Sequence, residues 1–247
     1  MTDAAPAPRH SLALQKQSAD PDRQPLELYH LSHDLRGPLN SILGFAELLL
    51  EEIEGPLNEI QQADITAIYQ SAQNLLHLIN TAVDLSKLEA NRLNFEFKAV
   101  DLNEAVNAVW PALSKVKPEP IELNFSLPPN LPPLWADRDR LEQMLKNLLR
   151  IAFKLAKKSA IVLSAEKSGP EIILRLEIGR VELSQAEVAG LFELEVKVDP
   201  SGRIEIGPGG LELPLTRHLA ERQQGQAWAE RDQDRGLIIY ITLPLAG

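Results

Sequence analysis

The sequence of 247 residues contains no cysteine. Without thiols the chain can form neither disulfide bonds nor thiolate metal sites. It also has no apolar run that approaches the roughly 20 residues needed to cross a bilayer, and its N-terminus lacks a basic region followed by an apolar core. These absences predict a cytoplasmic protein without membrane insertion.

Basic residues are fewer than acidic residues. The chain has 25 lysine and arginine residues against 35 aspartate and glutamate residues, which gives a net charge of −10. This balance argues against a nucleic-acid-binding surface and against attraction to anionic membranes. A protein or a small molecule is therefore the expected partner. Apolar residues make up 44% of the chain, which suits one large domain or two small ones.

Residues 1–25 have few large apolar side chains and several prolines, which predicts a flexible N-terminal tail. From residue 26 to residue 92, apolar residues recur at helical spacing in two segments, and Gly55-Pro56 separates them. Both segments carry wider apolar faces than a single hairpin can bury. We therefore expect a second copy of the chain to complete a four-helix bundle. The alternative is that these helices pack on the rest of the chain.

His33 is the most informative residue of the first helix. The apolar stripe of that helix consists of Leu28, Leu31, Leu35, Leu39, Ile42, Ala46, Leu49 and Ile53. At roughly 100° per residue, His33 falls about 160° from the middle of this stripe, so it is expected to face solvent. Pro38 lies inside the helix and predicts a bend beside His33.

An exposed imidazole is neutral for much of the time near pH 7 and can act as a nucleophile. The neighbouring Asp34 could hold the ring tautomer or take a proton. Two other interpretations stay open at this point. His33 and Asp34 could be an ordinary solvated pair, or His30 and His33 could hold a metal, although no third ligand is near.

After residue 92 the period changes from helical to alternating, which predicts a domain boundary. Strands are expected at 93–97, 121–127, 160–165, 171–178, 226–230 and 237–243. Helices are expected at 102–113, 138–157, 185–192 and 211–223. A proline-rich connection runs to Pro133, and a glycine-rich loop precedes the last helix. This order predicts an α+β sandwich with a mixed sheet and helices on one of its faces.

The string His-Asp-Leu-Arg-Gly-Pro-Leu-Asn-Ser-Ile-Leu-Gly-Phe-Ala-Glu-Leu-Leu, which begins at His33, closely resembles the phosphoacceptor box of sensor histidine kinases. The string Asp-Leu-Ser-Lys-Leu-Glu-Ala at 84–90 resembles the end of that domain's second helix. The resemblance implies that His33 is phosphorylated, that Asp34 is its acid/base neighbour, and that Asn40 is the polar residue common in the box.

The rest of the chain resembles the ATP-binding domain that follows the phosphoacceptor domain in this family, up to the closing Ile-Tyr-Ile-Thr-Leu-Pro-Leu at 239–245. The resemblance therefore covers the chain from about residue 26 to its end. It implies a dimerisation and phosphoacceptor domain at 26–92 and an ATPase-like domain at 93–247.

The nucleotide motifs of the family are degenerate here. The first has the form Asn-Leu-Leu-x-Asn-Ala-x-Lys, and its second asparagine helps to hold magnesium. This sequence reads Asn147-Leu-Leu-Arg-Ile151-Ala-Phe-Lys154. Magnesium takes hard oxygen ligands, which an aliphatic side chain cannot supply. Lys154 is retained, but a solvated helix lysine is an equally simple interpretation.

The second motif, Asp-x-Gly-x-Gly, holds the adenine amino group through its aspartate. Alignment back from Leu191-Phe-Glu places Ile178, Arg180 and Glu182 on its three defining positions. Loss of a charged hydrogen bond costs roughly 1.5 to 3 kcal/mol. The missing glycines matter separately, because their lack of a Cβ atom allows the backbone to turn beneath the nucleotide.

The third motif is the phosphate lid, Gly-x-Gly-Leu-Gly-Leu, which reads Pro208-Gly-Gly210-Leu-Glu212-Leu in this chain. Only Gly210 clearly matches. Pro208 removes a backbone donor, and Glu212 places a carboxylate where phosphates should dock. Two unit charges about 4 Å apart near a surface repel by about 4 kcal/mol. We therefore expect a nucleotide-incompetent domain with no cofactor and no metal.

Together these features predict a two-component signalling protein in which His33 exchanges phosphate with a response-regulator receiver. The receiver would dock around Arg36 and Asn40. The ATP-dependent autokinase activity is expected to be lost, and a kinase acting in trans could phosphorylate His33. One alternative is a non-catalytic dimerising regulator of another histidine kinase. The other is an active kinase that binds ATP and Mg²⁺ at an unorthodox site.

Overall fold

The computed structural model describes residues 24–53, 55–114, 117–156, 159–198, 204–232 and 234–247. The predicted tail lies outside these ranges except for its last two residues, which already belong to the first helix. The helices are α1 (Gln24–Leu50), α2 (Glu59–Glu89), α3 (Leu102–Ser114), α4 (Arg138–Ala156), α5 (Gln185–Ala189) and α6 (Glu212–Arg222). The strands are β1 (Phe97–Val100), β2 (Leu123–Ser126), β3 (Leu134–Asp137), β4 (Ile161–Ser168), β5 (Glu171–Ile178), β6 (Val196–Val198), β7 (Ile204–Ile206), β8 (Gln226–Asp232) and β9 (Gly236–Pro244).

Helices α1 and α2 form the predicted hairpin. α1 continues through Pro38 and ends at Leu50, shortly before the predicted separator Gly55-Pro56. The backbone turns at Glu52 and Gly55, which both have positive φ angles. α2 begins with a capping box. The backbone N–H of Gln61 donates to the Asn58 side chain, and the backbone N–H of Asn58 donates to the Gln61 side chain. Such a box satisfies backbone donors that the first helical turn leaves free.

The second half of the chain is an α+β sandwich, as predicted. Its main sheet has the strand order β2-β4-β5-β9-β8. The β2–β4 pair is parallel and the other three pairs are antiparallel. On β4 and β5, alternate residues are buried, so one face of the sheet packs against helices. Two smaller sheets pair β1 with β3 and β6 with β7.

One apolar core joins the sheet and the helices. α4 contributes the most to it, with residues such as Leu145, Leu148 and Leu149 at no more than 1% exposure. The same cluster of buried residues includes Leu88 from the end of α2. The phosphoacceptor hairpin and the sheet domain therefore share packed apolar side chains at their junction.

One strand prediction was wrong, and strands in two other regions were not predicted. The predicted strand at 93–97 begins only at Phe97, because the backbone N–H of Glu96 donates to Asp137 Oδ2 (2.7 Å) and not to a neighbouring strand. The proline-rich connection is followed directly by β3, which was not expected and which pairs antiparallel with β1. The glycine-rich loop likewise contains the ribbon of β6 and β7.

Candidate functional site

His33 lies on the outer face of α1, and 77% of its side chain is exposed. Its Nδ1 atom is 3.6 Å from Asp34 Oδ1, and the Asp34 side chain is also largely exposed. The neighbours that face inward are Ser32, at 1% exposure, and Leu39, at 6%. The helix thus fixes the imidazole on a surface that another protein can reach.

The two residues expected to contact a receiver differ in their surroundings. Asn40 is exposed on α1. Arg36 is partly buried, and its guanidinium donates to Asn80 of α2 from Nε (3.1 Å) and from Nη2 (2.8 Å). Within the described ranges, no group of three or more acidic, histidine or cysteine side chains could hold a metal ion. The side chain of His30, considered above as a ligand, lies outside the described residues.

The apolar stripe of α1 is only half covered within one chain. Leu39 and Ala46 are buried against α2, at 6% and 4% exposure. From residue 32 to the end of the hairpin, the exposed large apolar residues in the described ranges are Leu35, Ile42, Phe45, Leu48, Leu49, Ile53, Ile60, Ile68 and Leu75, with exposures between 37% and 74%. A surface of this kind is typical of a helix face that binds another protein.

The first degenerate nucleotide motif lies on α4. Asn147 is 1% exposed, and its Nδ2 atom donates to Thr216 Oγ1 (3.3 Å) and to the Glu212 carbonyl oxygen (3.4 Å). Ile151, which the motif comparison aligned with the magnesium-binding asparagine, is also 1% exposed and belongs to the core. Lys154 is exposed. The asparagine therefore joins α4 to α6, and the isoleucine offers only apolar surface.

The three positions of the second motif do not form a site. Ile178 is the last residue of β5, is fully buried, and pairs with Ile161 of β4 and Leu237 of β9. Arg180 and Glu182 follow in the next loop, where both are exposed. Ile178, which the motif comparison aligned with the adenine-binding aspartate, is thus a core residue.

In the lid segment, the Glu212 side chain folds back over Gly210. A Cβ atom placed on Gly210 would lie 2.1 Å from Glu212 Oε2 and 3.4 Å from Ile151 Cδ1. Gly210 also has a φ angle of +63°, which residues with a Cβ atom rarely adopt. The backbone conformation therefore favours glycine here, and the space beside Gly210 holds a carboxylate.

Glu212 also contacts the phosphoacceptor hairpin. Its Oε1 atom is 3.2 Å from Nε2 of His77 on α2, at 13% and 22% side-chain exposure respectively, although His77 Nε2 forms no well-aligned hydrogen bond. Burial would raise the pKa of Glu212. The contact with His77, a hydrogen bond from its own backbone N–H and the charges of His77 and Lys154 outweigh that effect and lower the pKa. The sequence analysis assigned no chemistry to His77, since only the fold brings it to Glu212.

A cleft of about 600 Å³ opens beside this contact, between α2 and α4. Its basic lining consists of His77, Lys117, Arg150 and Lys154, and Glu212 is the one acidic residue in the lining. Burial lowers the pKa of Arg150, while the charge of Glu212 acts in the opposite direction. The cleft is therefore an electropositive space around a single carboxylate.

Two further contacts join α2 to the sheet domain. Gln143 of α4 donates to Asp84 Oδ2 (2.7 Å), and the Arg140 guanidinium lies 3.8 Å from the same oxygen. Arg222 of α6 donates to Asn91 and stacks over the ring of Phe95, 6.0 Å from its centroid. Contacts at the middle and the end of α2 thus hold the two parts of the chain together.

Comparison with protein families gives two matches in order along the chain. Residues 26–91 match the His Kinase A (phospho-acceptor) domain. Residues 136–247 match the histidine kinase-, DNA gyrase B- and HSP90-like ATPase family. The first match contains His33, and the second contains the three segments compared with the nucleotide motifs, at 147–154, 178–182 and 208–213.

Similar curated proteins include the cell-division control histidine kinases PdhS of Brucella ovis and Brucella abortus. Each is 29% identical over 229 residues, which is 88% of this chain but 22% of the relative. The chain thus spans about a fifth of the length of these relatives.

Among solved structures, full-length ShkA in complex with AMPPNP superposes with a TM-score of 0.66 at 24% identity, over 90% of this chain and 47% of ShkA. The histidine kinase ThkA in complex with the response regulator TrrA gives a TM-score of 0.59 at 19% identity, over 91% of this chain and 65% of that one. These likenesses show the shared fold.

No helix among the described residues is both long enough and apolar enough to span a bilayer. The helical hairpin and the α+β sandwich that follows it occur in the same order as the two family matches. The chain belongs to the sensor histidine kinase family.

Proposed function

We propose that this protein is a histidine phosphotransfer protein of a two-component system, in which His33 exchanges a phosphoryl group with a response-regulator receiver. The phosphate donor is another phosphoprotein and not ATP bound in the same chain. The observation that carries the proposal is a contrast between the two sites. His33 is exposed in a well-matched phosphoacceptor sequence, whereas the positions for magnesium and adenine hold the buried Ile151 and Ile178.

The geometry around His33 suits a nucleophile. Nδ1 is the ring nitrogen near Asp34, so a proton on Nδ1 would leave the lone pair of Nε2 pointing away from that carboxylate. Nε2 attacks the phosphorus atom of the receiver's aspartyl phosphate. A nitrogen–phosphorus bond forms, the phosphorus–oxygen bond to the aspartate breaks, and the carboxylate leaves with the electron pair. Reversal of the step returns the phosphoryl group.

Three features of the sheet domain support a pocket without nucleotide. Ile151 offers no oxygen to magnesium, which binds oxygen ligands at short distance. Ile178 has no polar atom for the adenine amino group. Glu212 brings a negative charge over Gly210, where a backbone cradle for phosphate would form. We therefore propose that neither ATP nor Mg²⁺ is a cofactor of this chain.

The exposed apolar face of the hairpin supports a homodimer through residues 26–91, because burial of that face needs a second apolar surface. The receiver would then dock on the free side of α1, next to His33, Arg36 and Asn40. The reported complex of the similar kinase ThkA with a response regulator supports a partner of this class.

A specific observation favours each alternative. The similar Brucella proteins are named histidine kinases, which favours an active ATP-dependent kinase with an unorthodox site. The contacts between α2 and the sheet domain favour a non-catalytic dimerising regulator that presents a fixed surface to another histidine kinase. The proposal and the two alternatives differ in the phosphate donor that they predict for His33: a receiver, ATP or neither.

The test uses receiver domains that carry radiolabelled phosphate on aspartate, mixed with the full chain without nucleotide. We expect acid-labile label on the chain, abolished in His33→Gln and retained in the control His218→Gln, which removes another exposed histidine of the sheet domain. Transfer of label from [γ-³²P]ATP with Mg²⁺ to His33 would establish the kinase alternative. Absence of label from both donors would leave the regulator alternative and overturn the proposal.

A further inference from the structure

Glu212 does more than repel phosphate. We propose that the N-terminus of α6 together with His77, Arg150 and Lys154 forms an oxyanion site, that the chain's own Glu212 carboxylate is its resident ligand, and that this ligand fastens the ATPase-like domain to helix α2. The inference rests on the proposed nucleotide-independent function, which it deepens. It assigns to Glu212 the structural role of a bound anion.

The position of the carboxylate at a helix end is the first step. Glu212 is the first residue of α6, a helix of 11 residues. Its carboxylate lies beside Gly210, just before the start of this helix. The first turn of a helix leaves N–H groups without intrahelical partners and carries a partial positive charge, so an anion is stabilised there.

The surrounding charges are the second step. The titratable groups that face the carboxylate are His77 from α2, Arg150 and Lys154 from α4, and Lys117 from the loop after α3. Lys117 is already paired with Glu119 and donates to the Ile121 carbonyl oxygen. Three basic side chains therefore line the cleft around the Glu212 carboxylate. Arg150 and Lys154 belong to α4, whereas His77 belongs to α2.

The shape of the space around the Glu212 carboxylate is the third step. Gly210 lacks the Cβ atom that would collide with Glu212 Oε2, and Ile151 forms an apolar wall beside it. The amide of Asn147 donates to the Glu212 carbonyl oxygen and so holds the backbone from which the side chain extends. The backbone of Glu212 is thus held by Asn147, and its carboxylate lies over Gly210 on one side and beside Ile151 on the other.

The consequence concerns the two parts of the chain. His77 belongs to the phosphoacceptor hairpin, whereas the rest of the site belongs to the sheet domain. Removal of the carboxylate would leave His77 on α2 and Arg150 and Lys154 on α4 without a counter-charge. Because partly buried basic groups repel one another, α2 and the sheet domain would then move apart. A small dissolved oxyanion could take the same seat and restore the contact.

The absence of cysteine allows this to be tested by distance measurement in the full chain. Spin labels would be placed at Gln62→Cys on α2 and Lys167→Cys on β4, which are both exposed. The labelled chain would be co-refolded with an excess of unlabelled chain, so that distances within one chain dominate. The variants are Glu212→Ala and Glu212→Gln. Glu187→Gln is the matched control, because Glu187 also lies at the start of a helix, α5, and accepts hydrogen bonds there from Ser184.

We expect one narrow distance distribution in the parent chain and in Glu187→Gln, and a broad one in both Glu212 variants. Inorganic phosphate should narrow the distribution of Glu212→Ala and leave the parent unchanged. If Glu212→Ala does not fold, Glu212→Gln decides, because it keeps the side-chain volume. A narrow distribution in the Glu212 variants, or a broad one in Glu212→Ala that phosphate does not narrow, would overturn the inference.

These outcomes are separable from a failure of the proposed function. Binding of ATP to the parent chain in calorimetry would overturn the nucleotide-independent function, whatever the distances show. Conversely, transfer of phosphate from a receiver to His33 together with unchanged distances in both Glu212 variants would overturn only the role given to Glu212.

Discussion

Arg36 is tied to Asn80: its guanidinium donates two hydrogen bonds to the same side-chain oxygen, at 3.1 Å and 2.8 Å. Arg36 lies about one helical turn after His33, so this contact joins the phosphoacceptor turn of α1 to the middle of α2. A residue proposed to meet the receiver is therefore also part of the hairpin's own structure.

Asn80→Ala should separate these two roles. It removes the acceptor but keeps the Arg36 charge, and hydrogen bonds to charged groups contribute about 1.5 to 3 kcal/mol. We expect the free energy of unfolding in urea to fall by about 2 kcal/mol while transfer from a labelled receiver continues. Arg36→Ala should lose both stability and transfer. Equal transfer rates in Arg36→Ala and the parent chain would contradict a docking role for Arg36.

Leu75→Glu should weaken the dimer. Leu75 is 47% exposed in the single chain, and the proposed dimer would bury it, so the variant places an unpaired charge in an apolar contact. We expect a loss of at least about 2 kcal/mol, which is roughly a 30-fold weaker association. Sedimentation of the 26–91 fragment measures this, with Gln62→Glu as a charge-matched control at an exposed position on α2. A parent fragment that sediments as a monomer at micromolar concentration would contradict the dimer.

Gly37 should make phosphate exchange proceed without hydrolysis. Phosphatase action in many relatives needs an acidic residue next to the histidine and a threonine or asparagine three positions later, where this chain has Gly37. Without a polar side chain, no group aligns an attacking water molecule. Label should move reversibly between receiver and His33 while total protein-bound label stays nearly constant.

The matched variant is Gly37→Thr. An added Cβ atom at Gly37 meets nothing within 4 Å, so the change is sterically tolerated, and it should introduce release of free phosphate. Rapid phosphate release by the parent chain would show that Gly37 does not limit hydrolysis.

Ile151→Asn should not restore nucleotide binding. It returns the magnesium-binding amide to α4, but Ile178 and Glu212 still occupy the other two motifs. The variant also buries an amide in the core, which costs roughly 3 kcal/mol of stability. We expect no heat of ATP binding from the parent or the variant, and a small stability loss in the control Ile151→Val. Micromolar binding by the parent would restore the active-kinase alternative.

The stability that Glu212 contributes should depend on pH. Its pKa in the folded chain is below the ordinary value of 4.5, so folding favours the ionised form. The contribution is therefore fully present above about pH 4.5 and is lost as the pH falls through the lower folded pKa. Urea unfolding should show a difference between the parent and Glu212→Gln that is largest near pH 6 and shrinks in acid. A difference that grows in acid would contradict this assignment.

Local sequence patterns were enough to place most of the elements. The helix predicted at 138–157 is α4, Arg138–Ala156, because its apolar residues keep one period along a strongly amphipathic segment. The exposed position of His33 was predicted in the same way, from the helical period of the apolar residues of α1. The strand predicted at 171–178 is β5, Glu171–Ile178, whose alternation matches its burial. In each case neighbouring residues carry the whole signal.

Contacts between distant segments could not be predicted in this way. β3 is four residues long, follows several prolines and pairs with β1, so its evidence lies in another part of the chain. The approach of His77 to Glu212 depends on how α2 packs against α6. The motif comparison predicted which residues correspond to the nucleotide motifs of the family, but only the fold showed that Ile178 is in the core and that Arg180 is on the surface.

The burial of Ile178 makes the altered adenine position difficult to reverse. An aspartate at the end of β5 would place a carboxylate between Ile161 and Leu237, in a part of the sheet with no exposed surface. The variant Ile178→Asp would therefore lose stability whether or not it gained affinity for nucleotide. Because proteins tolerate only small losses of stability, folding itself opposes this single substitution.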